Sequence, residues 1–166
     1  MQPAPRNDSG RQAVVTAPEL TVSQWFNTKQ PLTLEQLRGK VVLLHAFQML
    51  CPGCVNHGVP QAERVHRQYG GADLAVVGLH TVFEHHAVMT PAALQVFLSE
   101  FRIMHPVGVD TSDPDSSMPV TMRRYRMGGT PTLILIDRLG RIRVQELGQV
   151  DDMRLGVWIG RLLAEP

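Results

Sequence analysis

Cysteine is scarce in this chain: of 166 residues only Cys51 and Cys54 carry thiols, three positions apart. No thiols remain for structural staples elsewhere, so disulfides do not hold this fold together. A four-ligand structural zinc site is disfavoured too, because such sites need a second Cys or His pair of similar spacing and no second cysteine pair exists. Charge of either sign is not in excess, with 16 Lys and Arg against 15 Asp and Glu. That balance provides no basic field, so neither nucleic acid nor an anionic membrane surface is expected as a partner. No stretch approaches the ~18 to 20 unbroken apolar residues of a membrane span. The amino terminus is rich in Pro, Asn, Asp and Ser and lacks the apolar run of a signal peptide. Residues 1–13 read as a disordered tail, residues 14–166 as one domain, and the cytoplasm as the expected compartment.

What is present is a regular alternation of buried strands and amphipathic helices. Thr33–Leu37 reads as one helical turn closed by Gly39, and Lys40–Phe47 is a continuous apolar run, as in a strand covered on both faces. Cys51-Pro52-Gly53-Cys54 follows at once, and Val55, Val59, Ala62, Val65 and Tyr69 then recur at roughly helical spacing. The dithiol therefore sits where a strand becomes a helix. Leu74–Leu79 is a second buried strand, and His80–Met89 reads as irregular. Thr90-Pro91 pairs a helix cap with a first-turn proline. Leu94, Phe97, Leu98 and Phe101 continue from it as an apolar stripe. Pro106–Val109 is a short strand, and the acidic loop Asp110–Ser117, a solvated turn rather than a calcium loop, leads into a helix to about Met127. The arginines Arg123, Arg124 and Arg126 fall on that helix as its wet face. Leu133–Ile136, a turn at Asp137–Gly140 and Arg141–Leu147 form a hairpin, and Leu155, Trp158, Ile159 and Leu162 define a last amphipathic helix. The class is α/β: a central mixed β-sheet with helices on both faces.

A cysteine at a helix start is placed for reaction, because unpaired N–H groups and the helix dipole favour a thiolate there. Pro52 suits the first turn, since its missing N–H would have had no partner. Cys54, one turn on, is close enough to attack a mixed disulfide on Cys51 and release a bound substrate as a thiol.

The order of features resembles the thioredoxin-like fold of the TlpA and ResA (redoxin) type. The resemblance begins at Ala17-Pro18-Glu19-Leu20 and runs through Leu32–Leu44 and Cys51-Pro52-Gly53-Cys54. It continues to Gly129-Thr130-Pro131-Thr132 and the hairpin turn at Asp137-Arg138-Leu139-Gly140. It implies a thiol–disulfide oxidoreductase with Cys51 attacking and Cys54 resolving, and with Pro131 a cis proline beside them. Thr130 would offer its backbone to an extended substrate. Leu50 stands where most relatives place a tryptophan next to the substrate. Pro-Gly between the cysteines reverses the thioredoxin order, Pro60 lies one residue later than the helix proline of that pattern, and His57 stands about where ResA-type proteins carry a glutamate. His45, six residues before Cys51, occupies the place of a buried acid in thioredoxin, and is either a proton relay for Cys54 or a satisfied core histidine. The implied partners are a protein thiol or disulfide substrate and a redox donor or acceptor, with no bound cofactor.

Two alternatives stay open. A peroxiredoxin-like peroxidase shares the fold, but it would set a threonine three residues before its cysteine and a proline four residues before that. Gln48 and Leu44 stand there ahead of Cys51, and Cys51 and Phe47 ahead of Cys54. A copper-binding module would combine the two cysteines with a histidine of the His80, Glu84, His85, His86 segment, although copper chaperones of this fold space their cysteines one residue further apart.

Overall fold

The protein is described by a computed structural model over residues 14–166, so the expected tail at residues 1–13 lies outside the described residues. Seven strands form one sheet: β1 Val15–Thr16, β2 Val22–Phe26, β3 Val41–Phe47, β4 Leu74–His80, β5 Val107–Asp110, β6 Thr132–Ile136 and β7 Arg141–Leu147. Their order across the sheet is β1-β7-β6-β3-β4-β5-β2. The pairs β3–β4 and β4–β5 are parallel, and the remaining pairs are antiparallel. Four α-helices surround it: α1 Val59–Tyr69, α2 Pro91–Glu100, α3 Val120–Arg124 and α4 Asp152–Ala164.

The unbroken apolar run of β3 is explained by its position at the centre, where every residue is buried. Alternate side chains serve different cores. Val41 and Leu43 pack with Ala62 and Val65 of α1 and with Leu155, Ile159 and Leu162 of α4. Val42, Leu44 and Ala46 pack with Met122, Tyr125 and Met127 on the opposite face. A third cluster joins Phe47, Met49 and Cys54 to Leu94 and Leu98 of α2, so the apolar stripe of that helix ends against the dithiol. Phe101, the last residue of the expected stripe, is half exposed beyond the helix. Thr90 caps α2 through its Oγ1, which accepts from the Ala93 N–H, a contact worth about 1 kcal/mol.

Three features depart from the sequence reading. Strands β1 and β2 were not expected; both are short edge strands that cover β7 and β5. The helix expected up to Met127 closes at Arg124, and Arg126 adopts a positive φ of 51° beyond it. Asp110 is buried rather than solvated: its carboxylate accepts the Thr121 and Met122 N–H groups and the Thr81 hydroxyl. Burial raises its pKa while these hydrogen bonds from the loop after β4 and from α3 oppose the rise.

Helix formation after Cys51 is not uniform. Cys54–Gly58 forms a π-turn in which the Val59 N–H reaches back to the Cys54 carbonyl, and only then does α1 begin, with Pro60 in its first turn. A π-turn inserts one residue into a helix. That extra residue accounts for Pro60 lying one position later than the resemblance led us to expect.

Candidate active site

The end of β3, the end of β4 and the start of β6 meet at one edge of the sheet, where Phe47 lies opposite His80 and Ala46 opposite Thr132. The chain leaves β3, turns at Gln48–Cys51, and enters the helix at Pro52. Cys51 is partly exposed and Cys54 fully buried, and both are free thiols. The Cys54 N–H donates to Cys51 Sγ at 3.2 Å, and the Cys51 thiol lies 3.5 Å from the Thr130 carbonyl. A backbone N–H aimed at the sulfur is what a helix start provides for a thiolate.

Pro131 immediately precedes β6 and follows a cis peptide bond from Thr130. Its ring packs against the first turn of the helix: a Cβ at Gly53 would lie 3.4 Å from Pro131 Cδ, and one at Gly58 would lie 3.2 Å from Pro131 Cβ. Two glycines on the facing helix surface thus let the Thr130–Pro131 loop approach the dithiol closely. The Pro131 carbonyl accepts the Gly148 N–H at 2.8 Å, tying the loop to the end of β7. Leu50 is 57% exposed next to Cys51, an apolar side chain presented at the rim.

Burial, first of all, pushes the Cys54 thiol up to about 12, with a hydrogen bond to Cys51 as the next cause. The two thiols therefore differ in kind: one reaches solvent, the other is held neutral beneath it.

The structure brings Cys51, Cys54, Thr130 and Pro131 together, with Leu50 at their edge, and leaves His45 outside this hydrogen-bonded set. His45 is buried, and neither ring nitrogen has a hydrogen-bond partner among the described residues. Burial holds its pKa down at about 3, and the positive fields of His105 and His57 act in the same direction. Neither ring nitrogen makes a hydrogen bond to the Cys54 thiol. The ring instead fills the space beneath Gly58, where a Cβ would collide with its Nε2. His57, expected near the position of a glutamate, turns away: its Nε2 donates to the Val150 carbonyl at 2.8 Å.

The histidine segment also disperses. His80 points inward, whereas His85 and His86 are exposed. Among the described residues no three His, Cys, Asp or Glu side chains converge as a metal-ligand set.

This geometry has close counterparts among solved structures. A thioredoxin-like superfamily protein superposes with a TM-score of 0.89 at 53% identity, over 92% of this chain and 98% of that one. A thiol-disulfide isomerase from Corynebacterium glutamicum superposes with a TM-score of 0.86 at 55% identity, over 90% of this chain and 98% of its own. The chain belongs to the thioredoxin-like superfamily. By structure it falls with the thiol–disulfide oxidoreductases of that superfamily. Among curated proteins, DipZ of Mycobacterium tuberculosis is 30% identical over 139 residues, which is 82% of this chain and 19% of DipZ. The thioredoxin-like chain thus spans about a fifth of the length of the curated relatives it matches. No family model matches it.

Proposed function

We propose that this thioredoxin-like domain exchanges a dithiol for a disulfide with protein substrates, Cys51 attacking and Cys54 resolving. The observation that carries the reading is the pairing of the sulfur of partly exposed Cys51, which receives a helix N–H at 3.2 Å, with a buried thiol one turn behind it. In the reducing direction the Cys51 thiolate attacks one sulfur of a substrate disulfide, and the other leaves as a thiolate that takes up a proton. Cys54 then loses its proton and attacks Cys51 Sγ, releasing the second substrate sulfur as a thiol. The substrate gains two electrons and two protons, and the Cys51–Cys54 pair becomes a disulfide. The reverse sequence oxidises a substrate dithiol.

Formation of the mixed disulfide also prepares the second step. The hydrogen bond between Cys54 and Cys51 contributes to the high pKa of Cys54. Once Cys51 is in a disulfide it can no longer hold that proton as a thiolate, so the mixed disulfide favours release of the Cys54 proton. Thr130, at the cis peptide, and exposed Leu50 flank the sulfur, and they are the contacts we assign to an extended substrate.

Turbidity from insulin reduction by dithiothreitol tests the activity. The wild-type protein should accelerate precipitation and Cys51→Ser should return it to the rate of dithiothreitol alone. Equal rates with and without the wild-type protein would contradict the proposal.

A further inference from the structure

Between the last residue of β3 and the helix, the turn Gln48–Cys51 has to place the attacking sulfur, and the closing bond within it is the Cys51 N–H to the Gln48 carbonyl at 3.1 Å. Inside this turn lies the Met49 N–H, a buried donor beyond the end of the strand ladder that needs an acceptor. Its acceptor is His80 Nε2 at 3.3 Å. His80 is 1% exposed, sits opposite Phe47 at the end of β4, and tilts its ring against that phenylalanine at 5.3 Å between centroids.

The residues after His80 continue the stitching. The Thr81 N–H donates to the Phe47 carbonyl at 3.0 Å, the Phe83 N–H donates to Gln48 Oε1 at 3.2 Å, and Gln48 Nε2 donates to Glu84 Oε1 at 3.4 Å. The segment that the sequence presents as a polar histidine loop is therefore laid along residues 47–49. His80 is the member of this segment that bonds a backbone N–H of the turn itself, two residues before Cys51.

We infer that His80 is a positioning residue for Cys51: by accepting the Met49 N–H it fixes the turn that aims the attacking sulfur. This rests on the reading of Cys51 as the attacking thiol. The role requires an imidazole with a bare Nε2, and burial keeps the ring neutral by lowering its pKa to about 4. An apolar residue of similar volume would fill the space and leave the Met49 donor unpaired. Glutamine carries an acceptor oxygen at a comparable reach.

The test compares His80→Leu with His80→Gln in the rate at which Cys51 reacts with 5,5'-dithiobis(2-nitrobenzoic acid). Because a misplacement of about 1 Å can cost about 100-fold in rate, His80→Leu should slow the reaction about 10-fold or more, and His80→Gln should stay within about 3-fold of wild type. A wild-type rate in His80→Leu, or a Gln variant as slow as the Leu variant, overturns the inference. If the wild-type protein fails to accelerate insulin reduction, the exchange activity is lost as a reading while these thiol rates still decide the role of His80. Should His80→Leu not fold, nitrogen-15 NMR on the wild-type protein decides. His80 Nε2 should resonate as an unprotonated ring nitrogen and couple across the hydrogen bond to the Met49 amide; a protonated Nε2 or no coupling overturns the inference.

Discussion

Alkylation of the reduced protein at pH 7 should modify Cys51 and leave Cys54 almost untouched, and the structure sets the size of the difference. Iodoacetamide reacts with thiolates. A thiol pushed up to about 12 is ionised at pH 7 to only about one part in 100,000, whereas an ordinary thiol near 8.5 is ionised to about 3%. The pKa alone therefore lowers the reactivity of Cys54 about 3000-fold below that of an unperturbed cysteine. Full burial of Cys54 adds to this by denying the reagent access. Labelling with a short iodoacetamide pulse, digestion and mass spectrometry give separate rates for the two sites. Labelling of Cys54 should also rise about tenfold per pH unit between pH 7 and 10, since each unit multiplies the thiolate fraction by ten. Rates at the two cysteines within tenfold of each other at pH 7 would refute the geometry from which the roles were assigned.

Three further outcomes follow from the buried groups. His45→Leu should leave the unfolding free energy unchanged or raise it by about 1 to 3 kcal/mol, because it removes polar nitrogens that lack partners. A loss above about 2 kcal/mol in urea denaturation would mean that the imidazole is held by an interaction it needs. Gly58→Ala should lower Tm and disturb the site, since its methyl group would meet the His45 ring and press on Pro131 at 3.2 Å; unchanged Tm would show that the π-turn can shift freely. Stability should fall as the medium is acidified. His45 and His80 are held neutral with pKa values of about 3 and about 4, below the unfolded value near 6.5, so the unfolded chain binds protons first. Their contribution is complete above about pH 6.5 and is lost progressively down to pH 3 to 4, by several kcal/mol in sum. Glu63, held at about 2 chiefly by its hydrogen bond to His105 against the opposing cost of burial, adds a loss below about pH 4.5. Unfolding free energies that stay flat from pH 7 to 4 would contradict these assignments.

The central strands were legible because burial on both faces leaves a continuous apolar run, as in Val41–Leu44 and Leu133–Ile136. The edge strands were not, since Val22–Phe26 is partly exposed and carries no such run, and Val15–Thr16 has only two residues. The position of Pro60 held a trace of the π-turn, a one-residue offset, but nothing local distinguishes a π-turn from an ordinary helical turn. For the site, the spacing of Cys51 and Cys54 and the strand-to-helix corner could be read from sequence. The approach of Thr130–Pro131 came only through the family resemblance, because about 80 residues separate it from the thiols. His80 was misplaced in a loose loop for a related reason: its partner, the Met49 N–H, is brought to it by parallel pairing of β3 and β4. His45 was legible as a buried titratable group, but its relation to Gly58 and its lack of any bond to Cys54 are tertiary facts.

Trapping with Cys54→Ser tests the central claim most directly, because it stalls exchange after the first step. Incubated with a disulfide-bonded protein such as insulin, this variant should accumulate a mixed disulfide through Cys51, seen on a non-reducing gel, dissolved by dithiothreitol and mapped by mass spectrometry. Cys51→Ser should accumulate none. No adduct on Cys54→Ser, or an equally abundant adduct on Cys51→Ser, would contradict the account.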